Sequence, residues 1–346
     1  MAFKRFSVMV LLVPLLGGCA NLGFYWQSVG GQMEIWNKER PIATLLADPT
    51  LSPDLKLRLE SVLRMREFAS RELDLPDNGS YRFYADLQRP YVLWNVFATP
   101  EFSIMPKEWC FVITGCVSYR GYFSQSEAER FADDERGRSY DVFVAGVPAY
   151  STLGWFDDPV LNTFIHFPET EVARLIFHEL AHQAVYVKDD SMFNESFAGT
   201  VEEEGVSRWL VENGSVEQRA AFDAAQQRKK DFVRLVLKYR SRLDGLYRSA
   251  ISDAEKRESK RQIFSELRQE YTQLKASWGG FSGYDHWLPP QANNASLASV
   301  AAYTQLVPAF QRLLAAQDGN LARFYREVKE IAKLPKAERL ARLKEG

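Results

Sequence analysis

The sequence predicts an α+β protein, mostly α-helical, with a small β region at about residues 80–150 and a long helical hairpin at about 215–277. Three observations predict it. Between residues 80 and 147 aromatic and β-branched residues cluster and are broken by Pro90 and Pro100, the pattern of short strands. Elsewhere apolar residues recur at three- and four-residue spacing, which puts them on one face of a helix. From 215 to 277 there is no proline and one glycine, Gly245, in a stretch rich in Glu, Gln, Arg, Lys, Ala and Leu. Those are strong helix formers. At 346 residues, 46% hydrophobic and 25% charged, the chain can bury a sizeable core.

The first residues read as a targeting segment rather than as fold. Lys4 and Arg5 precede the apolar run from Phe6 to Leu16, shorter than the ~20 residues a membrane-spanning helix needs. Leu16-Gly17-Gly18-Cys19 resembles a bacterial lipobox, in which the Cys becomes the acylated first residue after cleavage. On this reading residues 1–18 are a lipoprotein signal peptide. Residues 19–346 form a single domain, with the helical arm at about 215–277. Cys19 carries an anchor that holds the protein on a membrane without a spanning helix. Ala20 stands where an Asp would retain such a protein at the inner membrane, so the resemblance points to the outer membrane, on the periplasmic side of the cell envelope. Without residues 1–18 the chain has 41 basic and 45 acidic side chains, net −4. There is no basic excess to meet nucleic-acid phosphates.

Further along, a helix over Gly31 to Asn37 is expected before Pro41. Ser52-Pro53-Asp54 then starts a capped helix with a stripe of Leu57, Leu59, Val62, Leu63, Met65 and Phe68, ending near Leu73 to Pro76. Tyr81, Phe83, Tyr91 to Phe97, Phe111 and Val117 carry strand character. Ser124 caps a helix to about Gly137, and Tyr140 to Val147 is another strand. Cys110 and Cys116 are the remaining cysteines, and export permits a disulfide. Six residues along one strand span roughly 20 Å, whereas bridged Cα atoms lie within about 7 Å. A bridge therefore requires the chain to reverse near Thr114-Gly115; otherwise these are two buried thiols. The uncharged loop Ala149 to Trp155 fits either a site lining or a packed loop. Helices follow at Glu169 to Val187, Asn194 to Glu212, two in the arm with a break near Ile251-Ser252-Asp253, Asn293 to Leu314, and Leu321 to Leu334.

The chemistry concentrates between Arg174 and Trp209. His178, Glu179 and His182 are spaced HExxH on a strongly apolar helix, so both imidazoles lie on one face and can bind one ion. Zinc, Zn2+, takes His nitrogens and a carboxylate and in catalytic sites keeps a position open for water. Glu179, beside the first ligand, is placed to take a proton from that water. Four glutamates follow, Glu195, Glu202, Glu203 and Glu204. Glu195 and Glu202 are roughly cofacial on the next helix, and either can serve as third ligand. Ala198 and Gly199 permit close helix contact. Glu202 lies near the spacing of thermolysin-like enzymes. Glu195 sits in Asn-Glu-Ser-Phe-Ala, which resembles the Asn-Glu-Gly-Phe-Ala of classical zinc aminopeptidases, whose Glu is the third ligand, although the connecting segment here is shorter. Glu195 is the favoured ligand, with Glu202 behind it or in contact with substrate.

The wider resemblance is more specific. FHELAHQ-x-VY, FNESFA-x-x-VEEEG, SYR-x-YADL, WCF…GCVSYRGYF, AYSTLGWF-x-DP and NNASLAS-x-AAY are similar to a bacterial family of predicted zinc aminopeptidases, from about Tyr25 to Pro335. The resemblance implies a gluzincin-like zinc-peptidase core and hydrolysis of peptides. An oxyanion donor is then required besides the metal; Tyr150, His286, Tyr303 and Arg120 are the candidates. Glu202 and Glu203 are candidates to hold a substrate α-amino group. Two other readings stay open: a zinc endopeptidase, and a non-catalytic envelope lipoprotein that binds peptides or partners with a peptidase fold. The intact Glu179 argues against the second.

Overall fold

The computed structural model describes residues 19–111 and 115–345, with side chains for 23–111 and 115–344. The signal segment and Gly17-Gly18 of the lipobox lie outside the described residues, and Cys19 is described only as backbone. The chain opens with α1 (Cys19–Lys38), longer than expected, then β1 (Arg40–Pro41), α2 (Ile42–Leu46) and α3 (Pro53–Leu73). Ser52 caps α3 by accepting from the Leu55 amide, and Asp74 closes it in the left-handed region. Next come β2 (Phe83–Ala85), β3 (Leu93–Pro100), β4 (Trp109–Phe111), β5 (Gly115–Val117), β6 (Arg120–Tyr122), α4 (Gln125–Gly137) and β7 (Tyr140–Val147). After β8 (Val160–Leu161) and α5 (Asn162–Ile165) the chain is helical: α6 (Glu169–Ala184), α7 (Ser191–Asn213), α8 (Val216–Arg248), α9 (Asp253–Ser277), α10 (Asn294–Thr304), α11 (Val307–Ala315), α12 (Leu321–Ala332) and α13 (Lys336–Glu345). The protein is thus mostly helical with small sheets.

Two expectations at the C-terminal end are corrected. The stretch from Asn293 to Leu314 is two helices, because Pro308 has no amide to continue α10 and instead occupies the first turn of α11. The Leu306 amide at the break donates to Ser196 Oγ. A final helix, α13, follows Pro335, where the last helix was expected to end near Leu334.

The strands form three small sheets. β3 is central to one, antiparallel to β6 and β7. Its period-two alternation sends Trp94, Val96 and Ala98 against Ala128 and Ala132 of α4. Phe97 and Asn95 take the other face, where the Tyr119 ring packs 5.7 Å from that of Phe97. β2 joins β1 antiparallel and β8 parallel. β4 and β5 are a hairpin in which Cys110 lies opposite Cys116, and the two are disulfide-bonded. The reversal that a bridge demanded falls between Phe111 and Gly115.

The main core gathers α3, α6, α7, α11 and α12. Phe193 and Phe197, one turn apart at the start of α7, are fully buried against Phe310 and Phe324. Each such side chain contributes roughly 1.5–3 kcal/mol. The arm has its own core of Phe232, Leu235, Val236, Leu243, Phe264 and Leu267, completed by Leu297 and Val300 of α10. It is seated on the body rather than free. Lys260 pairs with Asp141 at 2.7 Å and Arg257 with Glu101 at 2.7 Å. Among the described residues no helix is long and apolar enough to cross a membrane.

Gly115 is the tight point of the hairpin. Its φ is +76°, and a β-carbon there would run into Asp189 and Lys188 between α6 and α7. The Cys116 amide donates to Asp189 Oδ1. Gly115→Ala is therefore expected to cost about 1–2 kcal/mol from the left-handed backbone alone, lowering Tm by a few degrees in calorimetry; an unchanged Tm would show that the hairpin does not press on this link.

Candidate metal centre

The site is built on α6 and the first turns of α7. Glu169 and Glu171 in the first turn of α6 suit its dipole, and Val172, Leu175, Ile176 and Leu180 fix it in the core. His178 and His182 then emerge one turn apart, with their Nε2 atoms 3.2 Å from each other. The helix ends at Ala184. Six residues, Val185 to Asp190, carry the chain back. Asn194 clamps that link: its Oδ1 accepts from the Val187 amide at 2.8 Å and its Nδ2 donates to the Val187 carbonyl at 2.7 Å. Asp190 caps α7 on the Phe193 amide and pairs with Arg339 of α13 at 3.0 Å.

The short return brings Glu195 Oε2 to 3.2 Å from His178 Nε2 and 3.6 Å from His182 Nε2. His178, His182 and Glu195 are the group that could hold a metal ion among the described residues. A tetrahedral ion with bonds of about 2.0–2.1 Å separates its ligands by about 3.3–3.4 Å. The triangle of 3.2, 3.2 and 3.6 Å fits that size, and two imidazoles with one carboxylate are a donor set that zinc accepts.

Glu202 lies behind His178 rather than toward substrate. Its Oε2 is 2.8 Å from His178 Nδ1 and 3.1 Å from Arg174 Nη1, and its Oε1 is 3.1 Å from Lys229 Nζ. Both oxygens are engaged, which fits the expectation that places Glu202 behind the ligands. A carboxylate here fixes the His178 tautomer and directs Nε2 toward the ion. Glu203 is likewise committed, to Lys229 and Gln311.

Burial disfavours every charge in this cluster, and the neighbours decide the outcome. Burial alone would lower His178, but its bonds to Glu195 and Glu202 outweigh that and raise it to about 10. Burial would raise Glu195, but His182 and His178 hold it down at about 2. Glu202 is held well below the carboxylate range by Arg174 and Lys229 despite its burial. Glu179 is also buried, and burial leaves it above the ordinary carboxylate value although His178 and His182 face it. One carboxylate of the cluster is thus kept ionised while its neighbour is shifted upward.

Of the four oxyanion candidates, Tyr303 on α10 faces this group. Burial and then the charge of Glu195, with Glu179 further down, raise its phenol far above the usual value. The Tyr150 hydroxyl donates to Gln32 Oε1 on α1, and its ring packs on Phe123. His286 is exposed on the loop after α9, with its ring tilted 5.0 Å from that of Trp287. Arg120 points to the other side of its sheet, with its guanidinium 4.3 Å from the Phe24 ring centre and 4.8 Å from that of Phe131. Sequence reasoning missed Tyr119, whose phenol is raised by burial and then by Glu195. It also missed Arg174, Asn194 and Lys229. Arg174 stands four residues before His178, so helical spacing alone points to it; Lys229 is on the arm, and no local signal announces it.

Two imidazoles, a returning carboxylate and a raised glutamate between them define a metal-ready site of the HExxH kind. A family model described as "Putative aminopeptidase" matches residues 23–343, and the chain belongs to that family. Comparisons with curated proteins and with solved structures returned no match.

Two outcomes follow from this geometry. Glu202→Gln should weaken zinc affinity about 10–100-fold, read by competition with a chromophoric chelator; unchanged affinity would mean that Glu202 does not support His178. Zinc uptake at pH 7 should release about one proton, because His178 holds one until the metal takes its place. Calorimetry in buffers of different ionisation enthalpy counts it, and affinity should fall as pH falls.

Proposed function

We propose that this protein is a zinc-dependent peptidase, acting as an aminopeptidase at the surface of an envelope membrane. The observation that carries the reading is Glu179: a buried carboxyl with a raised proton affinity, next in sequence to a ligand of a three-donor group that fits zinc. A site that only bound metal would have no use for it. The family description supports peptide hydrolysis.

His178, His182 and Glu195 would hold the ion, which when bound supplies a Lewis acid and lowers the pKa of water toward ~7. Glu179 accepts the proton that the attacking water gives up, and its position lets it return that proton to the departing amine. Tyr303 and Tyr119 bring phenol donors to the same space, suited to the oxyanion that forms on the peptide carbonyl. Glu202, Arg174 and Lys229 keep His178 oriented throughout. The Leu-Gly-Gly-Cys segment supports acylation at Cys19 and attachment to the periplasmic side of the outer membrane.

Glu179→Gln is expected to keep zinc at one equivalent by metal analysis and to lose at least about 100-fold in peptide hydrolysis. Full activity in that variant would remove the proposed base. Peptides with free N-termini should be cut one residue at a time, and N-acetylated ones spared, in a mass-spectrometric digest; internal cleavage of the acetylated set would make the protein an endopeptidase instead.

A further inference from the structure

The inward side of α1 is firmly seated. Gly31 leaves room for the Phe123 ring, Ile35 is buried, and Gln27 accepts from the Phe123 amide. Its outward side is different. Tyr25, Trp26, Val29, Met33 and Trp36 recur at three- and four-residue steps and are all exposed, Trp26 to 79%. Between residues 23 and 38 that face carries no charge; Glu34 and Lys38 lie on the flank and pair with each other at 3.1 Å. The patch continues past the helix. Phe156 meets Trp36 with ring centres 4.8 Å apart, and Trp155 beside it is 71% exposed. An apolar, uncharged face with two tryptophans and a tyrosine is unusual on a water-facing surface and typical of the membrane interface.

What covers it is indicated by where the helix starts. Cys19, the residue that the lipobox marks for acylation, is the first residue of α1. From Cys19 to Trp36 a helix runs about 25 Å, so the whole face lies close to wherever the acyl chains enter. We propose that the outward face of α1, extended by Trp155 and Phe156, is a lipid-contacting surface that lays the protein flat on its membrane. The inference rests on the acylation of Cys19 proposed above. Acyl chains give tethering; this face gives orientation, as an interfacial helix does. The orientation matters because the loop carrying Trp155 and Phe156 is tied to the metal helix: Gln183, next to His182, donates to Asp158 Oδ2 at 3.1 Å.

The test uses the full chain, isolated from bacterial membranes and reconstituted in phosphatidylethanolamine–phosphatidylglycerol vesicles whose acyl chains are brominated near the headgroup. Bromine should quench tryptophan fluorescence, and the quench should fall by roughly a third in Trp26→Phe, which removes one of the three tryptophans of the face, Trp26, Trp36 and Trp155. Met33→Glu should reduce it likewise while metal content stays unchanged. Intact mass reads acylation at Cys19 independently. An acylated chain that bromine does not quench overturns the orienting face and leaves the anchor standing. An unacylated chain that vesicles still quench through Trp26 supports the face and removes the anchor. If quenching is absent and a Trp26→Cys variant instead cross-links copy to copy, the face is a self-association surface and the proposal is wrong.

Discussion

Burying the Glu195 carboxylate against two imidazoles is the constraint on which the rest depends. An ionised group taken out of water costs several kcal/mol unless its partners are close and well aligned. Here the partners are on one helix and the carboxylate is on the next, six residues away across a link. The link must therefore be rigid. Asn194 clamps it to the Val187 backbone, Asp190 pins it to Arg339, and Phe193 and Phe197 drive the opposite side of α7 into the core. The disulfide hairpin leans on it through Gly115 and Asp189. Four separate elements serve one short turn, which is the arrangement that a pre-organised site requires.

The arm enters the same logic. Its helices look like an appendage in sequence, yet Lys229 reaches back to Glu202 and so to Nδ1 of His178. Without that cation and Arg174, Glu202 would be a buried charge shared only with an imidazole. The pair holds it ionised, and the ionised carboxylate sets which nitrogen of His178 faces forward.

Much of this was legible in the residues. Apolar periodicity located α3, α6 and both arm helices, and a serine cap located α4. Ser52 and Ser124 cap where their spacing indicates. His178, Glu179, His182 and Glu195 were legible because their chemistry depends on helical spacing and a short return. What was hidden depends on contacts between distant parts of the chain. That the Tyr150 hydroxyl meets Gln32, 118 residues away, has no local signal. Glu202 was expected behind the ligands or against substrate, and its partner Lys229, 27 residues downstream, had no local signal. The helix α13 is short and strongly charged, and its reason for docking, Arg339 on Asp190, lies 149 residues away.

The compactness of the ligand set in sequence has one further thermodynamic effect. His178, His182 and Glu195 span only eighteen positions, so an unfolded chain can still gather them around a metal. Any affinity retained by the unfolded state subtracts from the stabilisation that the ion gives the native one. The grip of a metal on the fold would therefore be set less by the three donors than by what the native structure adds to them: Asn194 on the link, Glu202 behind the ring, and the two cations that keep Glu202 charged.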